Sequence, residues 1–203
     1  MQPQRPTPLS RRAALGLAGA CLGAVPARAA EPAGKVESLR GEAYAQAAAR
    51  RALAVAAEIF VGDLVGTGAQ SALALRLGTA TLVRLGAEAR LRIDRFLVNA
   101  GGVLDLARGA MIYDHDEAAG PAALAVRSPF GLIAVRGTRF FAGPSNGVFG
   151  VFAFRGAVTL VGAHTSVQVL PEFGSDLTAP GAEPTTPHRW APARIAAAEA
   201  SVR

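Results

Sequence analysis

The chain has 203 residues, of which 51% are hydrophobic and 18% are charged, so it can bury a packed core and is not disordered throughout. Its formal net charge is +6, and after the N-terminal segment it has no apolar run of the roughly 20 residues needed to span a membrane. A single cysteine excludes a fold held together by internal disulfides.

The N-terminal segment has the pattern of an export signal. The paired arginines Arg11 and Arg12 precede a short, weakly apolar stretch, and the small residues Ala27 and Ala29 suit positions −3 and −1 of a cleavage site. Paired arginines are the feature that the twin-arginine export route reads. We therefore predict a twin-arginine signal peptide over residues 1–29 and a periplasmic mature protein.

Two alternatives for this segment are an ordinary amphipathic helix and a lipoprotein signal at Cys21, which lacks the usual large aliphatic residue three positions upstream. If the signal were retained, it would be the one expected membrane attachment. Its cleavage removes four arginines and no acid, so the net charge falls from +6 to about +2. The basic composition is therefore not evidence of nucleic-acid binding, which needs a concentrated basic face.

Residues 34–174 have the pattern of a β domain. Short alternating segments, such as the one that places Leu73, Leu75 and Leu77 on one face, are separated by turns rich in Gly, Asn, Pro and Asp. No long helical period interrupts them, which excludes a doubly wound α/β fold. We predict an all-β domain, either solenoid-like or a sandwich. The Ala-rich stretch "EAYAQAAARRALAVAAE" is interpreted as a strand, a loop and a second strand.

The dipeptide Arg-Gly recurs along this domain. It occurs as Arg40-Gly41, Arg108-Gly109, Arg136-Gly137 and Arg155-Gly156. Glycine inside a strand commonly marks a bulge or a close approach by another backbone. An arginine before it can lie along apolar surface while its guanidinium reaches carbonyls or a carboxylate. We interpret the dipeptide as one backbone device that is used several times.

The third of these dipeptides lies in "SPFGLIAVRGTRFF", where a buried strand meets Arg136, Gly137 and Thr138. A catalytic elbow, a phosphate loop and a structural kink are possible, but the glycine spacing and the lysine of a phosphate loop are missing. We predict a bend in a core strand. Thr138 would bond nearby backbone, Arg136 would tie the bend to a neighbour, and Gly137 would occupy a position that a β-branched residue fits poorly.

Residues 175–203 are rich in proline and poor in large apolar residues, which predicts an extended tail. A short Ala-rich helix could begin at Pro192. Trp190, the one tryptophan, either pins this tail to the wall of the β domain or lies in a loose, exposed segment.

Catalytic signatures are weak. The one Gly-x-Ser-x-Gly match, residues 143–147, lies in a turn between two predicted strands, not in the strand-to-helix elbow that a hydrolase needs. The run from Asp114 through His115 and Asp116 to Glu117 offers oxygen and imidazole groups to a metal, but adjacent strand residues point to opposite faces, and a solvated loop is favoured. We predict no catalytic, cofactor-binding or metal-binding residue.

Several of these segments together resemble the FecR family of periplasmic domains. The segment "VRSPFGLIAVRGTRFFAG" is similar to the family's Val-Arg-Gly-Thr strand, "VLDLARGAMIYD" to its strand that ends in leucine, a basic residue and glycine, and "VFAFRGAVTLVG" to the strand that follows. "FVGDLVGTGAQSALALRLGTATLVRLGAEARLRI" looks like the preceding hairpins. The resemblance covers roughly residues 36–170.

The resemblance implies an all-β module that senses or binds partners and is not an enzyme. Well-known FecR proteins are transmembrane regulators with a cytoplasmic anti-sigma segment, which this sequence lacks, so no direct contact with a sigma factor is expected. We predict a partner protein in the cell envelope, and no nucleic acid. The alternatives are a module that binds carbohydrate or peptidoglycan, and a metal-dependent envelope enzyme that uses the run from Asp114 to Glu117.

Overall fold

The computed structural model describes residues 2, 31–97, 101–120, 122–136 and 138–203. The export signal predicted from Arg11, Arg12, Ala27 and Ala29 lies outside the described residues, and so does Gly137.

Within the described residues, eighteen strands form two nine-stranded sheets, here called the first sheet and the second sheet. The first sheet contains β1 (Pro32–Arg40), β4 (Glu58–Phe60), β6 (Ala72–Leu77), β7 (Thr81–Leu85), β10 (Met111–His115), β13 (Arg139–Ser145), β14 (Val148–Arg155), β17 (Phe173–Leu177) and β18 (His188–Arg189). The second sheet contains β2 (Ala43–Gln46), β3 (Arg50–Ala52), β5 (Leu64–Thr67), β8 (Arg90–Leu97), β9 (Gly101–Arg108), β11 (Ala123–Arg127), β12 (Leu132–Arg136), β15 (Val158–Val161) and β16 (Ser166–Val169).

The order of strands across each sheet largely follows their order along the chain. The first sheet is ordered β18-β17-β14-β13-β10-β7-β6-β1-β4, and the second β16-β15-β12-β11-β9-β8-β5-β2-β3. Neighbouring strands of the described chain pair antiparallel, except that β9 and β11 are parallel. The chain therefore advances along a two-sheet sandwich by visiting each sheet in turn. This confirms the predicted all-β class, and the Ala-rich stretch forms β2, a loop and β3 as predicted.

The main hydrophobic core lies between the two sheets. Leu73, Leu75 and Leu77 contribute from the first sheet and Leu91 and Ile93 from the second, and all five are buried in one cluster. The side chains alternate strictly in second-sheet strands such as β11 and β12, where buried residues are separated by exposed or half-buried ones. This period of two is typical of a sheet with one face in the core and one in solvent.

One short α-helix, α1 (Pro192–Ala200), follows the last strand of the first sheet. Pro192 lies in its first turn, where the missing N–H costs no hydrogen bond, as the sequence predicted. Among the described residues, no helical segment has the length and hydropathy required to span a bilayer.

We expect the substitution Tyr113→Phe to change stability in alkaline solution more than at neutral pH. Tyr113 is buried and its hydroxyl has no hydrogen-bond partner among the described residues, so its loss at pH 7 should change the free energy of unfolding by less than about 1 kcal/mol. Burial raises the pKa of the Tyr113 hydroxyl above its ordinary value. As the pH rises, the unfolded chain therefore loses this proton at a lower pH than the folded protein does. The free energy of unfolding of the wild type falls once the pH exceeds about 10.

Tyr113→Phe should lack this part of the loss of stability in alkaline solution. Urea unfolding of the wild type, Tyr113→Phe and the control Tyr44→Phe, at neutral pH and above pH 10, measures the difference. An identical alkaline loss in the wild type and Tyr113→Phe would contradict the prediction.

Candidate functional site

The Arg-Gly dipeptides lie where the chain passes from one sheet to the other. Each arginine ends a strand, and the next strand belongs to the opposite sheet: β1 leads to β2, β9 to β10, β12 to β13 and β14 to β15. The described glycines, Gly41, Gly109 and Gly156, have φ angles of 74°, 85° and 72°. The recurring device is thus a corner between sheets, formed in a backbone region that glycine adopts most easily.

Around the Arg136-Gly137-Thr138 segment, β12 ends at Arg136 in the second sheet and β13 begins at Arg139 in the first sheet. Arg136 is exposed at the end of β12, and its side chain forms no hydrogen bond or ion pair among the described residues, so the expected tie to a neighbour is not formed there. Thr138 is fully buried, and its carbonyl accepts a hydrogen bond from His115 N–H at 3.1 Å. Its hydroxyl has no partner in the described chain. Thr138 is therefore not an exposed nucleophile.

The acidic run from Asp114 to Glu117, at the end of β10 and just after it, is engaged in structural contacts. His115 is buried, and its Nε2 donates to the carbonyl of Gly120 at 3.0 Å, so its Nδ1 accepts from the Thr81 hydroxyl at 2.9 Å. Arg155 pairs with Asp114 at 3.2 Å and with Glu117 at 2.8 Å. The Asp116 carboxylate accepts from the main-chain N–H of Ala118. Across the described residues, no group of acidic, histidine or cysteine side chains is placed to hold a metal ion.

The C-terminal segment covers the outer face of the first sheet. Trp190 is buried there, with its ring centroid 6.1 Å from Phe141 and 5.1 Å from Phe152. Ala198 of α1 and Val202 complete this second hydrophobic cluster. Trp190 therefore pins the C-terminal tail to the wall of the β domain, which is one of the two alternatives that the sequence left open. We call residues 188–203 the C-terminal strap.

Polar contacts fix the strap in place. Arg194 is stacked over the Trp190 ring, with its Cζ 3.6 Å from the ring centroid. The same guanidinium binds both oxygens of Asp176, at 2.6 and 3.1 Å, and the Ser145 hydroxyl at 2.9 Å. At the far end of α1, Glu199 pairs with Arg139 at 2.9 Å. These partners lie on or beside the first sheet, so the strap belongs to the folded domain.

The outer face of the second sheet is free of such a cover in the described structure, and we call it the open face. Its centre consists of small or aliphatic side chains that are half-buried or exposed: Val103, Ala125, Leu132, Ala134 and Val161. Pairing across β9, β11, β12 and β15 places these residues in adjacent rows. The open face therefore presents an apolar centre to the surroundings.

Arginines surround this centre. Arg90, Arg92, Arg95 and Arg136 are exposed and contact no carboxylate in the described part of the chain. The exception is Arg127, which bridges Asp94 at 2.7 Å and also binds Asp105, and these two carboxylates raise its pKa. An apolar centre with arginine around it is typical of surfaces that bind other proteins.

A cleft of about 540 Å³ lies at one end of the open face, where β2, β3, β5 and β8 are adjacent. Its lining includes Glu42, Tyr44, Arg50, Thr67 and Arg90. The cleft borders β3, which is an edge strand of the second sheet.

The FecR protein family matches the chain over residues 63–159, from the residue before β5 into β15. The chain contains a FecR domain. This confirms the resemblance seen in the sequence, and the matched region includes Arg136 and all of the centre of the open face except Val161.

Two crystal structures of a candidate anti-sigma factor from Parabacteroides distasonis ATCC 8503 are similar to this FecR-domain protein. Each has a TM-score of 0.54 and 16% sequence identity and covers 66% of this chain. The match covers 63% of the protein chain in one structure and 62% in the other, so this chain spans less than two thirds of either. At this identity the likeness shows the fold alone. No curated protein matches the sequence.

Sequence reasoning on this FecR domain missed both the open face and the cleft. The alternation in β11 and β12 correctly indicated one solvent-facing side, but it did not show that arginines from β8 and β12 lie on the same face. The nearly continuous apolar run of β14, "VFGVFAFR", was the available signal that the first sheet is covered on both faces, because strands buried on both sides lack alternation.

Proposed function

We propose that this FecR-domain protein is a non-enzymatic module of the cell envelope that binds a protein partner through the open face. In this proposal, residues 1–29 export it to the periplasm by the twin-arginine route, and it acts as a sensor or scaffold. The family resemblance supports a role in binding instead of catalysis, and the exported location suits an envelope partner.

The observation that carries the proposal is the contrast between the two outer faces. The strap covers the outer face of the first sheet, whereas the outer face of the second keeps Leu132 exposed and carries four arginines that contact no carboxylate among the described residues. Nine strands at a spacing of about 4.8 Å give this face a width of roughly 40 Å. That width is sufficient for an interface of about 800 Å² per partner.

We expect Leu132→Glu to abolish partner binding without unfolding the protein. A carboxylate at the centre of the open face would have to lose its hydration in the complex, which costs several kcal/mol, about a hundredfold or more in affinity. Leu132 is 37% exposed, so the isolated protein should tolerate the change. The measurement is co-purification of envelope proteins with the tagged protein, followed by quantification of each retained protein.

Leu170→Glu is the matched control, because Leu170 is also an exposed leucine but lies in the segment after β16. Proteins retained by the wild type and by Leu170→Glu should be missing with Leu132→Glu. Retention of the same proteins by both variants, or of no protein by the wild type, would rule out this function.

A further inference from the structure

We propose that the cleft at the end of the open face binds an extended acidic segment of the partner through Arg50 and Arg90. This inference rests on the proposed function, since it names the chemistry of the partner segment.

The Tyr44 ring positions the Arg50 guanidinium for binding an anion. The Tyr44 ring lies directly over Gly66, where even a Cβ atom would approach the Tyr44 hydroxyl oxygen to 2.5 Å. The Arg50 guanidinium lies over that ring, with its Cζ 3.7 Å from the centroid. A guanidinium stacked on an aromatic ring keeps its N–H donors in its own plane, free at the edges. Arg50 can therefore bind a carboxylate without first giving up a protein partner.

Arg90 completes the basic side of the cleft. The strand pairing places Tyr44 opposite Gly66 and Gly66 opposite Arg90, so the tyrosine and Arg90 flank a position that has no side chain. Arg90 is exposed and contacts no carboxylate among the described residues. Two unpaired guanidiniums beside one cleft attract a negatively charged group, and each can bind a carboxylate through two parallel N–H donors.

The remaining lining favours a peptide over a nucleic acid. Glu42 lines the same cleft, and its carboxylate can accept hydrogen bonds from main-chain N–H groups, which a peptide has and a sugar-phosphate backbone lacks. The aromatic ring of the cleft is already covered by Arg50, so it offers no free platform for a nucleobase. Because β3 is an edge strand, an extended segment in the cleft can continue beside it.

Binding of a short dye-labelled peptide of alternating serine and glutamate, followed by fluorescence anisotropy, tests this inference. The purified wild type should bind it more tightly than the same peptide with glutamine in place of glutamate, and added salt should weaken the binding. The double variant Arg50→Gln/Arg90→Gln should bind it about tenfold more weakly or worse. The double variant Arg84→Gln/Arg189→Gln, which removes equal charge from the first sheet, should stay within about twofold of the wild type.

Equal binding of the glutamate and glutamine peptides, or an unchanged affinity in Arg50→Gln/Arg90→Gln, would overturn the inference. Tighter binding of a short single-stranded oligothymidine than of the glutamate peptide would overturn it too, in favour of a nucleic-acid site. Thermal melting of each variant shows whether it is still folded, so that weaker binding by a folded variant can be attributed to the lost contact. If the peptide fails to bind while Leu132→Glu still loses its envelope proteins, the inference fails and the proposed function stands.

Discussion

Replacing Trp190 with alanine is expected to lower the free energy of unfolding by about 3–5 kcal/mol, the usual cost of removing a large buried aromatic side chain. Trp190 packs on Phe141 and Phe152, and its loss also removes the surface on which Arg194 is stacked. The strap should therefore separate from the first sheet or the whole domain should become less stable. Urea unfolding followed by circular dichroism measures this change without depending on tryptophan fluorescence.

A double-mutant cycle with Gly174 shows whether the indole itself causes the effect. A Cβ atom at Gly174 would overlap the Trp190 ring, and the nearest atoms that it would meet all belong to that ring. Gly174→Ala alone should therefore cost about 1–3 kcal/mol through overpacking. In the Trp190→Ala background the same change should cost less than about 0.5 kcal/mol, because the obstructing ring is gone. Equal costs in the two backgrounds would show that Trp190 is not seated over Gly174.

The strap also shows how far the sequence could predict the first sheet. Trp190 and the helix start at Pro192 were recognisable in isolation, but docking depends on Gly150 and Gly174, which leave room for the indole. A Cβ atom at Gly150 would lie 2.7 Å from the ring. These two glycines are neighbours only because β14 pairs with β17, and the pairing of distant strands is not encoded in any local pattern.

The candidate site was hidden from the sequence for the same reason. Tyr44, Arg50 and Arg90 come from three strands, and only the register of β2, β5 and β8 places the tyrosine and Arg90 on either side of Gly66. The alternating pattern shows which residues share a face of their own strand, but not which residues of other strands lie beside them. The all-β class was accessible because it depends on that local alternation alone.

The sequence indicated that the Arg-Gly dipeptides are a repeated device, but it did not show that they join the two sheets. A glycine after an arginine at the end of an apolar run is compatible with a bulge and with a corner, since either can require a positive φ angle. Gly109 is a corner because Arg108 ends β9 in the second sheet and Met111 begins β10 in the first. The distinction requires knowing which sheet receives the next strand.

We expect Gly109→Val to destabilise the domain strongly. Gly109 has a φ angle of 85°, and a β-branched residue held in this region costs about 1–3 kcal/mol. A Cβ atom at this position would also lie 2.5 Å from the Ala89 Cα, and relieving that overlap costs about another 1–3 kcal/mol. Urea unfolding of the variant measures the sum.

Gly147→Val separates these two contributions. Gly147 has a similar φ angle of 80°, but a Cβ atom there would meet nothing within 4 Å, so this variant should show the backbone cost alone. Gly109→Val should be less stable than Gly147→Val by the cost of the overlap with Ala89, and equal stabilities would mean that the corner is not closely packed. Because Gly137 follows Arg136 at an equivalent passage between sheets, Gly137→Val is expected to behave like Gly109→Val. If Gly109→Val and Gly137→Val both had the melting temperature of the wild type, the passage of the chain between the sheets would not depend on glycine.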